Sequence, residues 1–137
     1  MKNFFFNSGN HKSLSSLALL VLRASFGLML LTHGWPKLVD FSQKASSFPD
    51  PLHVGNNISL GLAIFAEFFC SILVVLGLGT RFAAFPIMVV MFIVSFIING
   101  SHPVADRELP ILYLSAFTAI LMLGAGSYSL DKAISGK

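Results

Sequence analysis

One cysteine, Cys70, stands in the whole chain of 137 residues. That excludes an intramolecular disulfide, a CxxC redox pair and a thiolate metal cluster within one subunit. Charge is nearly as scarce: Asp, Glu, Lys and Arg make up 11% of the residues, against about 25% in soluble domains. So little polar surface cannot cover a water-soluble fold, and the apolar fraction of 55% points to lipid as the solvent. The net charge of +3 is too small for a nucleic-acid surface, and no basic stretch alternates with aromatics as a single-strand binder requires. The expected partner is the bilayer, not a nucleic acid.

What is present is a set of long apolar runs. A membrane span needs about 20 mostly apolar residues, and four segments meet or approach this: 14–35, 57–78, 82–98 and 109–124. Pro36 is expected to end the first, Gly79 to follow the second, Asn99 and Gly100 the third, and Gly124 the fourth. No segment carries a polar face wide enough to meet water. The fold class is all-α: a polytopic membrane protein, an antiparallel four-helix transmembrane bundle over residues 14–134. Residues 1–13 form an N-terminal segment and 135–137 a short tail. The opening MKNFFFNSGNHKS has no small-residue cleavage site, so the first run is read as a retained span. The long connection from Pro36 to Asn56, with Phe41, Phe48, Pro49 and Pro51, is expected to fold against the rim of the bundle.

Basic residues near span ends set orientation. Lys2, Lys12, Arg81, Lys132 and Lys137 fall on the side of the termini, and Lys37, Lys44 and Arg107 on the other. This bias places both termini in the cytoplasm of a bacterium, with the chain in the inner (plasma) membrane.

Two charges lie inside the runs, where each costs about 2.5–3.5 kcal/mol on insertion scales. Counting from span ends at 1.5 Å per residue, Arg23 lies about 20 Å and Glu67 about 15 Å below the same face. Opposite charges at similar depth on neighbouring helices are expected to pair. Arg23 shares a helix face with Gly27, Leu30 and Gly34, and glycines let backbones approach. Glu67 shares its face with Ala63, Cys70 and Ser71, and the serine hydroxyl would supplement the pair. Such a pair either fixes helix register or forms the charged floor of a ligand cavity. Above it, His33, Lys37, His102, Glu108 and Tyr113 are the candidates for a cavity mouth. His33 falls on the same side as His53, His102, Arg107 and Glu108, but no histidine pair has metal-ligand spacing, and no metal is expected.

The order and spacing of these residues resemble the DoxX family of small four-helix membrane proteins. The features concerned are Arg23 with Gly27, Gly34 and Lys37, then Glu67 and the turn GLGTRFAA at 77–84. NGSHPVADRELPILY at 99–113 and GAGSYSLD at 124–131 complete them. The resemblance covers residues 14 to 134 and implies a four-helix transmembrane fold. It also implies an association with quinone-linked membrane oxidoreductases: the founding members go with a thiosulfate:quinone oxidoreductase, others with complexes containing soluble thiol or oxygen-detoxifying enzymes. Relatives that exchange disulfides use cysteine pairs, which this chain lacks. No catalytic residue is carried over.

Two functions stay open at this point. One is a quinone-site or membrane-anchor subunit of an inner-membrane oxidoreductase complex. Such a site needs an apolar slot and polar groups for the ring carbonyls, for which Arg23, His33, Glu67, Glu108 and Tyr113 are available. The chain has no ligand set for haem, flavin or iron–sulfur, so the redox centres would sit in a protein partner and the subunit would not be catalytic alone. Its only small molecule would be a bound quinone. The other function is a non-catalytic assembly factor, scaffold or carrier of a small hydrophobic molecule. A homo-oligomer is compatible with both.

Overall fold

In lipid an apolar run has no hydrogen-bonding partner for its backbone except itself, so it folds as a helix. The computed structural model describes residues 12–136, and every regular element in them is helical. Residues 1–11 and 137 lie outside the description, and with them Lys2, Lys137 and most of the expected N-terminal segment. Among the described residues, three helices are long and apolar enough to cross a membrane: α1 (Lys12–Val39, 28 residues), α3 (Asn56–Leu76, 21 residues) and α4 (Thr80–Ile98, 19 residues). A short α2 (Phe41–Lys44) follows α1. α5 (Glu108–Leu123) has 16 residues, and a single turn-and-a-half, α6 (Leu130–Ser135), closes the described chain.

α1 does not stop at Pro36. The ring removes one backbone donor, but Asp40 N–H bonds Pro36 O at 2.9 Å and the helix runs on to Val39. This moves Lys37 from the loop onto the helix, one turn after His33. The buried residues of α1 are Ser16, Leu19, Arg23, Gly27, Leu30 and Gly34, a single seam at three- and four-residue spacing. Its outward side is mostly apolar along the middle of the helix, with Leu17, Val21 and Leu28 about half exposed, as a lipid-facing helix requires.

α1 packs along α3, and α4 along α5. The main core joins Leu30 of α1, Ala66, Cys70 and Val74 of α3, Ile87 and Met91 of α4, and Tyr113, Phe117 and Ile120 of α5. α3 and α4 each contain a π-helical segment, at Phe65–Cys70 and Ile93–Ile98. Such segments insert an extra residue into the turn and recur at functional sites. Here the first holds Glu67.

The connection between α1 and α3 folds back as expected. Ala45 is buried beside Leu60 and Ile64, with Phe48 packed on them. Asp50 ties the segment to the start of α3, accepting from Ser59 Oγ at 2.8 Å and from the N–H groups of Gly55 and Val54 at 2.8 and 3.0 Å. The Ser59 bond, followed by those of Gly55 and Val54, holds its carboxyl below the usual carboxylate value.

Gly34 decides how closely α1 and α3 approach. A Cβ there would lie 2.8 Å from Glu67 O and 2.7 Å from Glu67 C, which are backbone atoms that cannot swing aside. Gly61, on the same α3, has nothing within 4 Å. Gly61→Ala is therefore expected to be neutral or to stabilise by about 0.5–1 kcal/mol through chain entropy. Gly34→Ala is expected to destabilise by about 1–3 kcal/mol, because the helices must part. Thermal unfolding of the two variants in one detergent checks this; equal midpoints would mean that the contact does not set the packing.

Candidate functional site

Arg23 and Glu67 do not pair, and this corrects the expectation from their depths. Gly34 lies against Glu67, and from position 34 back to 23 at 1.5 Å per residue is about 16 Å. That brings Arg23 level with the far end of α3. The depth count had ended α1 at Pro36 and so set the two helices out of register. Arg23 is fully buried and donates through Nη1 to Val74 O and Val75 O at 3.2 and 3.3 Å, and through Nη2 to Tyr128 O. The last carbonyls of a helix lack intrahelical partners and carry its negative dipole end, so they can hold a guanidinium without a carboxylate.

The chain around this clasp is shaped for it. Gly77 ends α3 at φ 71°, with Leu78 N–H on Leu73 O at 2.9 Å and Gly77 N–H on Val74 O at 3.1 Å, a Schellman closure. A Cβ on Gly77 would collide with Arg23 Nη1 and with Ser129. Asp131 accepts from Gly79 N–H at 2.7 Å and Thr80 N–H at 3.0 Å, capping the start of α4 from across the chain. Burial pushes its carboxyl up, but the Thr80 and Gly79 bonds and then the Arg23 charge hold it below the usual carboxylate value overall. Arg23 therefore lines no cavity floor. It ties α1, α3 and the 124–129 loop together.

Glu67 is paired instead with Lys37. Its side chain is 6% exposed and that of Lys37 22%. Ser71 does not supplement the pair; its hydroxyl is buried without a partner among the described residues. Two cavities meet at this ion pair, sharing Lys37, Phe48, Pro49, Glu67, Val94 and Ile98 as their common wall. The outer one, about 310 Å³, runs between α3 and α4 past Ala63, Phe65, Pro86 and Val89. The inner one, about 270 Å³, adds His33 of α1 and Leu109, Pro110 and Tyr113 of α5. The His33 ring stands edge-on to Tyr113 at 6.0 Å, and Tyr113 is edge-on to Phe26 at 5.9 Å.

Of the mouth candidates, the structure brings His33, Lys37 and Tyr113 to one cavity. His102 and Glu108 are exposed and line neither cavity. Glu108 opens α5 as its first residue, but its position at the helix start carries it to the outside. Arg107 turns back into the fold, with Nη1 on Ser95 O at 3.0 Å and its guanidinium 5.6 Å from the Phe96 ring. Sequence reasoning had not placed Phe48 and Pro49 in the site. Both stand in a connection that also holds Phe41, Pro51 and Leu52, so residue type alone does not set them apart.

Among the described residues, three helices long and apolar enough to cross a membrane describe a multi-helix membrane protein. The DoxX family model matches residues 18–100, more than half of the chain, and the protein belongs to the DoxX family. No curated protein and no solved structure matches it.

The geometry separates two double-mutant cycles. Lys37→Met combined with Glu67→Gln is expected to show a coupling of about 0.5–3 kcal/mol, as residues in direct contact do. Arg23→Met combined with Glu67→Gln is expected to be additive within about 0.5 kcal/mol, since the two share no partner. Detergent unfolding measures both cycles, and coupling confined to Arg23 and Glu67 would restore the pairing that the structure replaces.

Proposed function

We propose that the protein is the membrane-embedded binding subunit for a small amphipathic molecule of the quinone class, working with a partner that carries the redox centres. The observation that carries this reading is the Lys37–Glu67 pair standing where two cavities meet. Ligand sites are mostly apolar spaces with a few convergent polar groups. Here those groups are an ammonium, a carboxylate, an imidazole and a phenol, contributed by α1, α3 and α5. The ammonium suits a ring carbonyl as donor, and the carboxylate suits a ring hydroxyl as acceptor. No haem, flavin or iron–sulfur ligand set is present in the sequence, so electron transfer is assigned to the partner.

A second reading, a carrier or scaffold without redox work, is favoured by one fact: Lys37 and Glu67 already satisfy each other. Purification in mild detergent, followed by extraction and chromatography of bound lipids, separates the two. The first reading expects a stoichiometric quinone that is lost from Glu67→Gln at unchanged protein yield. A recovered protein partner with no quinone would leave the scaffold.

The proposal also has four helices crossing a bacterial inner membrane alternately, with both termini cytoplasmic and the cavities toward the opposite face. Its support is the distribution of basic residues: Lys12, Arg81 and Lys132 lie at the Arg23–Asp131 end, joined in the sequence by Lys2 and Lys137, against Lys37, Lys44 and Arg107. Single cysteines at the exposed Ser13 and Ser46, in a chain with Cys70 replaced, report the two faces. An impermeant thiol reagent applied to whole cells is expected to label position 46 only. Labelling at 13 alone would invert the topology.

A further inference from the structure

We infer that the two cavities are one site in two chambers: the ligand's ring lies in the inner chamber, and its apolar tail passes through the outer chamber into the lipid. This rests on the ligand-binding reading above and assigns its internal geometry. Each cavity alone, at about 270 and 310 Å³, is near the lower limit of ligand pockets, which span about 300–1,000 Å³. Joined, they fall well inside that range. Their polarity is divided. The inner chamber holds His33 and Tyr113 beside the ion pair, whereas the outer one beyond the pair is walled almost wholly by aliphatic, aromatic and proline side chains.

The outer chamber also opens the right way for a tail. Leu62, Phe65, Phe85 and Val89 along it are 48%, 50%, 53% and 38% exposed, on the apolar middle stretches of α3 and α4. In a membrane that exposure is contact with lipid. Phe48 and Pro49 line both chambers, and the outer one opens toward lipid between α3 and α4. Ala63, one turn before Glu67 on the same face, leaves the space where ring and tail would join. The tail gains little by leaving lipid for a lining of similar polarity. The chamber acts by shape: it gives a tailed molecule somewhere to go once its ring is seated. Lys37 and Glu67, on the sill, touch the ring and not the tail.

The test uses two probes with one ring: menaquinone, with an isoprenoid tail, and menadione, without it. Trp35, the chain's single tryptophan, lies 5.9 Å from the Phe68 ring beside Glu67, so quenching of its fluorescence in lipid nanodiscs reports binding. Wild type is expected to bind both probes saturably. Ala63→Phe, which fills the outer chamber, is expected to weaken menaquinone by about tenfold or more and leave menadione within about twofold. Val89→Phe, at the lipid-facing opening and outside the core, makes the same comparison if the buried variant does not fold. His33→Ala is expected to weaken both probes alike. Loss of both probes, or of neither, in the outer-chamber variants overturns the two-chamber assignment while leaving ligand binding intact. Failure of wild type to bind either probe saturably overturns the ligand-binding reading itself.

Discussion

Backbone touches backbone where Gly34 of α1 meets Glu67 of α3, and the remaining geometry follows from that contact. With no Cβ at 34, the two helices lie close enough for Glu67 O to fill the space a side chain would take. The contact sets the register of α1 against α3. It carries Lys37, one turn onward, to the Glu67 carboxylate, and drops Arg23 to the opposite end of α3. In lipid there is little hydrophobic drive between helices, so association depends on close packing of this kind and on polar contacts. Here both act at one position, with the glycine admitting the approach and the ion pair forming because of it.

The two buried cations are handled by different physics. Arg23 is held by three backbone carbonyls at helix and loop ends, and the acceptors cannot move without unwinding the chain. Gly77 clears the space for it, and Asp131 caps α4 next to it, so this end of the molecule is a fixed joint. Arginine suits such a place, since its fork presents several donors in one plane. Lys37 has a flexible stem and a point charge, and meets one flexible carboxylate at a cavity wall. A joint that must not move uses the rigid donor and the rigid acceptors.

The all-helical class, the long apolar helices and the seam of α1 could be read in the sequence, because period and composition fix them locally. Arg23, Gly27, Leu30 and Gly34 do share one buried face. The pairing of charges could not be read. It depended on how far α1 slides along α3, and the count assumed that Pro36 ends the helix, whereas one missing N–H near the end of a packed helix is tolerated. The π segment at Glu67 left no mark either, since FAEFFC has no residue that demands the extra turn. Phe48 and Pro49 were legible as rim residues but not as the lining of two cavities, because that role is set by Asp50 fastening the connection to α3.

The position of the Lys37–Glu67 pair also explains why a charge is kept in a space that hydrophobic packing could have filled. A buried pair replaced by well-packed apolar groups is often neutral or stabilising, so stability alone is a weak reason for it. Register is already set by Gly34, and the fixed joint at Arg23 ties the far end, so the pair adds to a packing that does not rest on it alone. What it supplies, and no apolar substitute could, is a charged donor and a charged acceptor beside His33 and Tyr113. Lys37 is 22% exposed and Glu67 6% exposed, and both line the two cavities. A ligand carbonyl or hydroxyl of the proposed kind would compete there with the partner side chain, and hydrogen bonds to charged groups are worth about 1.5–3 kcal/mol. On the proposed reading, Arg23 is the fixed joint, and the Lys37–Glu67 pair at the cavity wall is the part that meets the ligand.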